Sequence, residues 1–372
     1  MRIDHSKKES AYLQLYHSLK TEIVNGIRPV GSRLPSRRLM AEETGVSAIT
    51  VEHAYSLLQD EGYIISRPKS GYYVSFGGEA AADGLPKVRE SRIRMTPVQP
   101  ITDAPEDFPF TALAKVMRAV LSIEDRRILA KSPGTGMFTL KETLAAYLAR
   151  SRGMQILPRQ IVIGAGAEYL YGQLVLLFGN EKVYLTEDPC YKTIRRVYEL
   201  YGAETKGLPM GEDGIVSSAL QENREACLLH VTPYRSYPSG VTASAAKRHE
   251  YVQWAAECNA WLVEDDYDSE FASATRRIDT AFSLAPEQVI YIGTFTKSLS
   301  PSIRMAYMVL PESLLPLYTE KLGFYSCSVP VYDQLVLEAF IREGHLERYI
   351  ASRRRRLKGE RGRKETETDS LI

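Results

Sequence analysis

The stretch Trp261–Phe271, WLVEDDYDSEF, decides the fold class of the larger part of this 372-residue chain. Its apolar start predicts a short buried strand, and Glu264, Asp265, Asp266 and Asp268 follow that strand directly. Carboxylates at the end of a buried strand are costly unless cations or hydrogen-bond donors offset them. The pattern therefore predicts a polar site at the carboxyl edge of a buried sheet.

Further short apolar runs recur before and after this stretch, and helical segments lie between most of them. The runs are Ile161–Ile163, Val183–Leu185, Cys227–Val231, Val289–Ile292 and Tyr307–Leu310. Strands that alternate with helices are typical of βαβ units. We therefore expect an α/β domain with a mainly parallel sheet that is buried on both faces.

Length and composition set the frame for this prediction. A chain of 372 residues exceeds the usual length of one domain, so two domains are expected. Apolar residues make up 44% and charged residues 25%, as in ordinary globular proteins. Because the net charge is only +1, any argument for nucleic-acid binding has to be local.

The four cysteines and the apolar runs indicate the compartment. Cys190, Cys227, Cys258 and Cys327 are scattered without a CxxC pair, which argues against a disulfide framework or a zinc site. The polar N-terminus has no apolar core of a signal peptide, and no apolar run reaches 18 residues. We expect a cytoplasmic protein without a membrane span.

The first 76 residues predict three helices followed by two short strands. The helices are expected over Tyr12–Asn25, from Pro35-Ser36 to Thr44, and over Ala48–Asp60. The tight turn Gly45-Val46-Ser47 joins the last two helices, as a helix-turn-helix requires. The strands lie around a Pro-Lys-Ser-Gly turn.

Eight apolar positions are expected to hold these helices together: Leu39, Met40, Val46, Ile49, Val51, Ala54, Tyr55 and Leu58. The polar residues near the start of the third helix are placed to reach a major groove, and the arginines and Lys69 are suited to phosphates. The candidate DNA-binding residues are Arg33, Ser36, Arg37, Arg38, Ser47, Thr50, His53, Arg67 and Lys69. The alternative is a small helical cap with a solvated face, because residues 1–76 contain ten basic and eight acidic residues and so carry little net charge.

The ordered string of residues decides between these two interpretations. LPS, GVS, TV, AY and EGY occur in sequence between Leu34 and Tyr63, and Ser70–Val74 follows as the wing. This string resembles the winged helix of the GntR family of bacterial regulators, which implies DNA binding. One position departs from the family: Ala48 stands where an arginine often follows the GVS turn, so a base contact is expected to be absent.

Four features of the second domain fit one cofactor. IVIGAGAE has Gly164 and Gly166 before a helix, a place where backbone N–H groups meet an anion. EDPCY puts Tyr191 after a second strand. The acids of WLVEDDYDSEF follow a later strand, and Lys297 follows another strand in YIGTFTKSLSPSIR, Tyr291–Arg304. Taken alone, the first feature is more often an ordinary strand-to-helix turn, and the second is more often a tyrosine that only packs against its neighbours. Together they provide a lysine for an aldehyde, an acid for a pyridine nitrogen and an arginine for a phosphate, as pyridoxal 5'-phosphate (PLP) requires.

The order of these features resembles fold type I aminotransferases. With the GntR-like winged helix in front, the chain is similar to MocR-type regulators, in which an aminotransferase-like domain senses an effector. The resemblance implies Lys297 as the catalytic-type Schiff-base lysine, Asp265 as partner of the pyridine N–H, and Tyr267 as partner of the ring hydroxyl. It also implies that Gly166, Ala167, Thr294 and Arg304 hold the phosphate and that Tyr191 stacks on or borders the ring. Asp266 is the alternative partner of the pyridine nitrogen; the Asp-x-Tyr spacing favours Asp265.

Several positions depart from the aminotransferase pattern. Ala167 replaces a common hydroxyl residue, Tyr234-Arg235-Ser236 replaces Ser-His-Gln, and Tyr237 stands where aminotransferases carry asparagine. SPGTGMF lacks the preceding tyrosine that normally reaches the partner subunit's cofactor. Relatives also continue into a small C-terminal domain with the arginine for the substrate carboxylate, and we expect most of that domain to be missing here.

These observations predict a winged helix over 1–76, a linker over 77–105 and an incomplete PLP-binding domain over 106–372, with a disordered tail from about 353. The predicted function is PLP-dependent transcription regulation. The predicted partners are operator DNA, an amine or amino acid effector and a second copy of the chain. The alternatives are an active aminotransferase with a DNA-binding appendage and a remnant without PLP. Transamination is expected to be weak or absent.

Overall fold

The computed structural model describes residues 10–68, 70–76, 108–123, 126–271 and 279–356. The chain divides into two compact units, one with Met1–Arg92 and Ala243–Glu250, the other with Ile93–Thr242 and Tyr251–Ile372. The predicted linker, Lys69 and most of the predicted tail lie outside the described residues. The domain boundaries at residues 76 and 106 therefore stay predictions.

The N-terminal unit is a winged helix-turn-helix, as predicted. Its elements are α1 (Ala11–Val24), α2 (Arg37–Thr44), α3 (Ala48–Asp60), β1 (Ile64–Arg67) and β2 (Gly71–Val74). The two strands pair antiparallel, with Ile64 opposite Val74 and Arg67 opposite Gly71. This hairpin is the wing.

Three residues fix the helix-turn-helix locally. The Ser36 hydroxyl accepts a hydrogen bond from the N–H of Leu39 at 3.2 Å and so caps α2. Gly45 ends α2 with a φ of +71°, a left-handed conformation that glycine adopts without steric cost. The Ser47 hydroxyl accepts from the N–H of Thr50 at 3.1 Å and caps α3. The turn between the two helices is thus specified by its own sequence.

The core of this unit contains most of the apolar positions that the sequence predicts, including the fully buried Val51 and Tyr55. Leu39 and Ile49 were predicted wrongly: their side chains are 47% and 65% exposed. Both lie in the first turns of their helices, on the outer side, where apolar periodicity alone gives no information about which neighbour is near.

The second unit is built around a seven-stranded sheet. Its strands are β3 (Ile161–Gly164), β4 (Val183–Asp188), β5 (Glu204–Pro209), β6 (Leu228–Val231), β7 (Trp261–Asp266), β8 (Val289–Thr294) and β9 (Ala306–Val309). Their order is β3-β9-β8-β7-β6-β4-β5. β9 runs antiparallel to both neighbours and the other pairs are parallel, so the mainly parallel sheet is confirmed.

Two helices precede β3, and further helices follow most of the strands. They are α4 (Phe110–Ile123), α5 (Phe138–Arg152), α6 (Ala167–Phe178), α7 (Lys192–Leu200), α8 (Ser217–Gln221), α9 (Ala245–Cys258), α10 (Ala281–Leu284), α11 (Leu315–Leu322) and α12 (Val331–Arg342), and residues 345–356 are also helical. Short 3-10 turns occur at Arg127–Leu129, Pro158–Gln160, Ser269–Phe271, Pro301–Ile303 and Glu312–Leu314. Within the described part of the chain, no helix is long and apolar enough to cross a membrane.

The sequence did not predict β5. This edge strand has exposed polar residues, such as Glu204, where a central strand has apolar ones. By contrast, every residue of β3, β6 and β9 is buried, as a two-sided cover of helices requires.

The turn between β8 and β9 carries the lysine that the sequence singles out. Thr294 pairs with Ala306, and the N–H of Phe295 donates to the carbonyl of Met305 at 3.1 Å. The residues between Phe295 and Met305 therefore form one closed loop at the carboxyl end of β8. Lys297 and Arg304 lie in this loop.

Candidate functional site

Two of the four acids at the carboxyl end of β7 are engaged by partners within the protein. Glu264 accepts a hydrogen bond from the N–H of Phe282, at the start of α10, at 2.9 Å. Asp266 forms an ion pair with Arg152 at 3.0 Å and accepts from the hydroxyl of Tyr291 at 2.6 Å and from the N–H of Ser269 at 3.1 Å. Neither acid is placed to offer a binding site to a ligand.

Asp265 differs because one of its oxygens has no partner. The hydroxyl of Tyr171 donates to Oδ2, and Nε2 of His230 lies 3.4 Å from the same oxygen. Oδ1 is buried and has no hydrogen-bond partner among the described residues. Leaving a buried acceptor unsatisfied costs about 1–3 kcal/mol. A ligand with an N–H donor would remove this cost.

Asp268 holds the lysine of the predicted site. Its Oδ1 lies 2.5 Å from Nζ of Lys297, and its Oδ2 lies 2.9 Å from Nη1 of Arg235. The Asp268 side chain is completely buried, whereas Lys297 keeps 17% of its side-chain surface exposed. Burial lowers the pKa of Lys297 below its ordinary value, and the Asp268 carboxylate opposes that shift. One carboxylate thus stands between two cations.

Tyr267 packs against the same lysine. Nζ of Lys297 lies 5.0 Å from the centroid of the Tyr267 ring, and the Tyr267 hydroxyl donates to the carbonyl of Arg235 at 2.6 Å. Burial raises the pKa of Tyr267 above its ordinary value, so its hydroxyl stays protonated at neutral pH. The structure therefore brings Lys297, Tyr267 and Asp268 together.

The predicted phosphate loop and its arginine also come together. Gly166, with a φ of +101°, precedes Ala167, the first residue of α6. A Cβ atom on Gly166 would lie 3.0 Å from Nη2 of Arg304, so only glycine leaves this space open. Arg304 forms an ion pair with Glu168 at 3.1 Å. A helix N-terminus next to an arginine is suited to binding a phosphate.

Thr294 and Tyr191, the two remaining residues of the predicted cofactor site, contact neighbouring side chains. The Thr294 hydroxyl accepts from the N–H of Thr296 at 3.2 Å and lies 2.8 Å from that residue's hydroxyl. Tyr191 precedes α7, is 42% exposed, and packs edge-to-face on Tyr237 with 6.1 Å between ring centroids. Both therefore lie at carboxyl ends of strands, as predicted, but their contacts are with neighbouring side chains.

Sequence reasoning missed two residues at the site. His230 lies on β6, beside β7, and Tyr171 lies on α6; both reach Asp265. The hydroxyl of Tyr198 lies 2.6 Å from Nδ1 of His230 and fixes the imidazole ring. A histidine in an apolar strand next to an acidic strand end was the available signal.

A further buried acid lies at the end of β4. Glu187 accepts from the N–H of Thr232 at 3.1 Å and from the hydroxyl of Ser236. Burial raises its pKa to about 8, while both hydrogen bonds oppose the shift. Glu187 therefore holds the segment that carries Arg235 mainly as a neutral acid near pH 7.

The candidate DNA-binding residues lie on the surface of the N-terminal unit. Those exposed are Arg33, Ser36, Arg37, Arg38, Ser47, His53 and Arg67, and Thr50 is half-buried. Some have partners within the unit: Arg37 pairs with Glu52 at 2.6 Å, and the Arg67 guanidinium lies 4.5 Å from the centroid of the Tyr73 ring. Lys69 lies outside the described residues.

The first turn of α3 also presents an apolar side chain. The hydroxyls of Ser47 and Thr50 lie 2.9 Å apart, and Ile49, between them in sequence, is 65% exposed. Apolar side chains in a recognition helix contact thymine methyl groups in the major groove. Ile49 thus joins the candidate DNA contacts that the sequence missed.

Comparisons with known proteins agree with both units. The family model described as "Bacterial regulatory proteins, gntR family" matches residues 11–74. The uncharacterised HTH-type transcriptional regulator YdeL of Bacillus subtilis is 32% identical, covering 91% of this chain and 75% of its own length. The probable rhizopine catabolism regulatory protein MocR of Rhizobium meliloti is 30% identical, with 96% and 77% covered, and the pyridoxine biosynthesis transcriptional regulator PdxR of Corynebacterium glutamicum is 28% identical, with 92% and 75% covered.

Solved aminotransferases resemble the second unit. The α-aminoadipate aminotransferase LysN of Thermus thermophilus, complexed with N-(5'-phosphopyridoxyl)-L-leucine, is 28% identical with a TM-score of 0.60, over 68% of this chain and 66% of its own. An archaeal alanine:glyoxylate aminotransferase has a TM-score of 0.61 at 24% identity, over 66% and 63%, and shares the fold.

The fold and the comparisons define a winged helix-turn-helix regulator joined to an aminotransferase-like domain. The chain belongs to the MocR-type family of HTH transcription regulators. It spans about three quarters of the length of the curated regulators that it matches.

The pH dependence of the stability of the fold tests the role of the buried Glu187. Its folded-state pKa is raised from 4.5 to about 8, so it stabilises the fold below its unfolded pKa, and this contribution is lost as pH rises through about 8. We expect Glu187→Gln, which stays neutral, to reduce the loss of stability between about pH 5 and pH 8. Urea unfolding followed by tryptophan fluorescence measures this, because Trp254 and Trp261 both belong to the second unit.

The exposed Glu222→Gln is the matched control and is expected to keep the pH dependence of the unmodified protein. Equal pH dependence in Glu187→Gln and in the unmodified protein would contradict the assignment of Glu187 as a buried neutral acid.

Proposed function

We propose that this MocR-type regulator binds operator DNA through its N-terminal unit and binds PLP in its second unit, where it senses an amine or amino acid. The unpartnered Oδ1 of Asp265 carries the proposal, together with the position of Lys297 in a loop at the carboxyl edge of the same sheet. A fold type I site needs both groups: an acceptor for a pyridine N–H and an amine for an aldehyde.

The residues present fit PLP. Lys297 would provide the amine and Tyr267 a hydroxyl donor for the cofactor's ring oxygen. Gly166, Ala167 and Arg304 would hold the phosphate, with Thr294 at the end of β8 and Tyr191 at the border of the ring. When bound, PLP supplies an aldehyde that condenses reversibly with amines and so discriminates compounds with a primary amine.

Asp265, Asp266 and Asp268 have different roles at this site. Asp266 is engaged by Arg152, Tyr291 and Ser269, which favours Asp265 as the acceptor that keeps a proton on the pyridine nitrogen. Asp268 contacts Nζ of Lys297 and is placed to take the proton that the amine must lose before it acts as a nucleophile. Burial, which lowers the pKa of Lys297, favours the same loss.

Regulation is favoured over transamination as the main activity. The similarity to regulators such as YdeL extends over 91% of the chain and includes the N-terminal unit, whereas the match to the curated 2-aminoadipate transaminase of Thermus thermophilus covers 68%. An active aminotransferase with a DNA-binding appendage remains the second candidate, because the chemical groups around Lys297 would serve both.

We also propose that the regulator is a cytoplasmic homodimer. Helix-turn-helix proteins commonly bind two half-sites as dimers. The second unit exposes large apolar side chains on and near α4 and α5, including Phe110 (71%), Ile123 (77%) and Phe138 (58%). Apolar side chains with this exposure are suited to a subunit interface.

Reconstitution with PLP tests the cofactor assignment. We expect the purified protein to develop a visible absorbance band with PLP, and borohydride reduction to fix the cofactor on the peptide that contains Lys297. Lys297→Ala should lose the band and the covalent label because it lacks the amine. The exposed Lys182→Ala should keep both. A colourless unmodified protein, or a label on another lysine, would contradict the proposal.

DNA binding is tested by a gel shift across salt concentrations. The probes are DNA from upstream of the protein's own reading frame and an unrelated duplex. Arg38 is exposed at the start of α2, so Arg38→Ala should weaken binding to both duplexes by a similar factor and reduce the log–log salt slope by about 1.

Arg224→Ala, an exposed arginine of the second unit, is the control and should leave affinity and slope unchanged. Absence of binding by the unmodified protein at low salt would contradict the DNA-binding proposal. An unchanged slope in Arg38→Ala would remove this residue from the interface.

A further inference from the structure

We propose that Arg235 binds a carboxylate of the effector, so that the effector sensed beside Lys297 is an amino acid and not a simple amine. This inference rests on the proposed function, because it takes the reaction of an effector amine at the Lys297 site as given. It adds the second recognition element and the chemical class of the ligand.

The position of Arg235 relative to Lys297 is fixed by one carboxylate. Asp268 contacts Nζ of Lys297 with Oδ1 and Nη1 of Arg235 with Oδ2, at 2.5 and 2.9 Å. The two cations are therefore separated by no more than the width of a carboxylate and its two contacts. A short amino acid presents an amine and a carboxylate at a comparable separation.

The charges of this group are not balanced. Two cations meet the single negative charge of Asp268, whose side chain is completely buried. Arg235 keeps 36% of its side-chain surface exposed, more than the 17% of Lys297, so its guanidinium is open to a solute. A planar guanidinium binds a carboxylate through two parallel hydrogen bonds. An incoming carboxylate would restore the charge balance.

The backbone of Arg235 is held in advance of any ligand. Its φ is +50°, a conformation that non-glycine residues rarely adopt. Its N–H donates to the hydroxyl of Thr242 at 3.1 Å, and its carbonyl accepts from the hydroxyl of Tyr267 at 2.6 Å. Strained backbone held by several contacts is characteristic of binding sites. Because Tyr267 also packs on Lys297, the cation and the amine share one support.

A second arginine near Lys297 is less suited to this role. Arg353, in the helical segment 345–356, lies with its guanidinium 5.1 Å from the centroid of the Phe271 ring and donates to the hydroxyl of Tyr349 at 2.7 Å. Its positive charge, like that of Arg235, contributes to the lowered pKa of Lys297. Arg353 therefore serves as the matched control for loss of a nearby positive charge.

The test compares amino acids with amines that lack only the carboxylate. The PLP-loaded full chain is titrated with a panel that includes phenylalanine against 2-phenylethylamine and β-alanine against ethylamine, and the change in the PLP absorbance band gives each apparent Kd. We expect at least one amino acid to bind tenfold or more tightly than its matched amine. Arg235→Gln should bring this ratio close to one, mainly by weakening the binding of the amino acid. Arg353→Gln should keep the ratio.

A second readout does not involve the reaction with the amine. The carboxylic acid that corresponds to the preferred amino acid without its amine should compete in the unmodified protein and not in Arg235→Gln. Arg235→Lys should restore part of the selectivity, because it keeps the charge and loses the two-pronged geometry.

The outcomes separate this inference from the proposed function. An unmodified protein without a PLP band contradicts the proposed function itself. A PLP band that responds to amines and amino acids equally, or a selectivity ratio that Arg235→Gln leaves intact, contradicts only the assignment of Arg235. A selectivity lost in Arg353→Gln and kept in Arg235→Gln would move the carboxylate site to the other arginine.

Discussion

Four carboxylates at the end of β7, three of them on buried residues, constrain the rest of the second unit, because each needs a partner inside the protein or from a ligand. Glu264 accepts a hydrogen bond from a backbone N–H at the start of α10, and Asp266 forms an ion pair with Arg152. Asp268 forms ion pairs with Lys297 and Arg235. Asp265 keeps one buried oxygen without a partner among the described residues. Through these contacts the start of α10, the buried Arg152 and the loop that carries Lys297 are all held at the carboxyl end of β7.

The same contacts support the proposal that this regulator uses its aminotransferase-like domain as a sensor. The loop between β8 and β9 carries Lys297 and Arg304, which brings the proposed aldehyde and phosphate contacts onto one closed segment. Tyr267 links this loop to the segment of Arg235 through a ring contact and a hydrogen bond. A ligand that displaces Lys297 from Asp268 would therefore change the contacts of both segments. Such differential contacts are what a ligand needs in order to shift a conformational equilibrium.

Much of the fold could be predicted from the sequence because its signals are local. Ser36, Gly45 and Ser47 specify the helix-turn-helix by capping and by a left-handed turn, and the apolar runs specify the buried strands. The edge strand β5 escaped prediction because its exposed polar residues break the apolar pattern. Ile49 was predicted to be buried because periodicity does not reveal that its side chain lies mostly exposed on α3.

The site was harder to predict because its partners come from distant parts of the chain. The sequence indicates that the acids at the end of β7 need partners, but not which acid contacts Arg152, Arg235 or Lys297. His230 and Tyr171 reach Asp265 from β6 and α6. The histidine in an apolar strand was a weak signal, and the local sequence of Tyr171 gave none. The choice between Asp265 and Asp266 as the cofactor's partner depends on these contacts, which only the three-dimensional arrangement supplies.

The most direct measurement for the central claim is the PLP affinity of Asp265→Asn beside that of Asp266→Asn. Asparagine has the shape of aspartate without its charge, so Asp265→Asn should weaken PLP binding at least tenfold, or about 1.4 kcal/mol, while the protein stays folded. Asp266→Asn should mainly lower the stability to urea, since it removes the partner of the buried Arg152. PLP affinity that is unchanged in Asp265→Asn and lost in a folded Asp266→Asn would contradict the account.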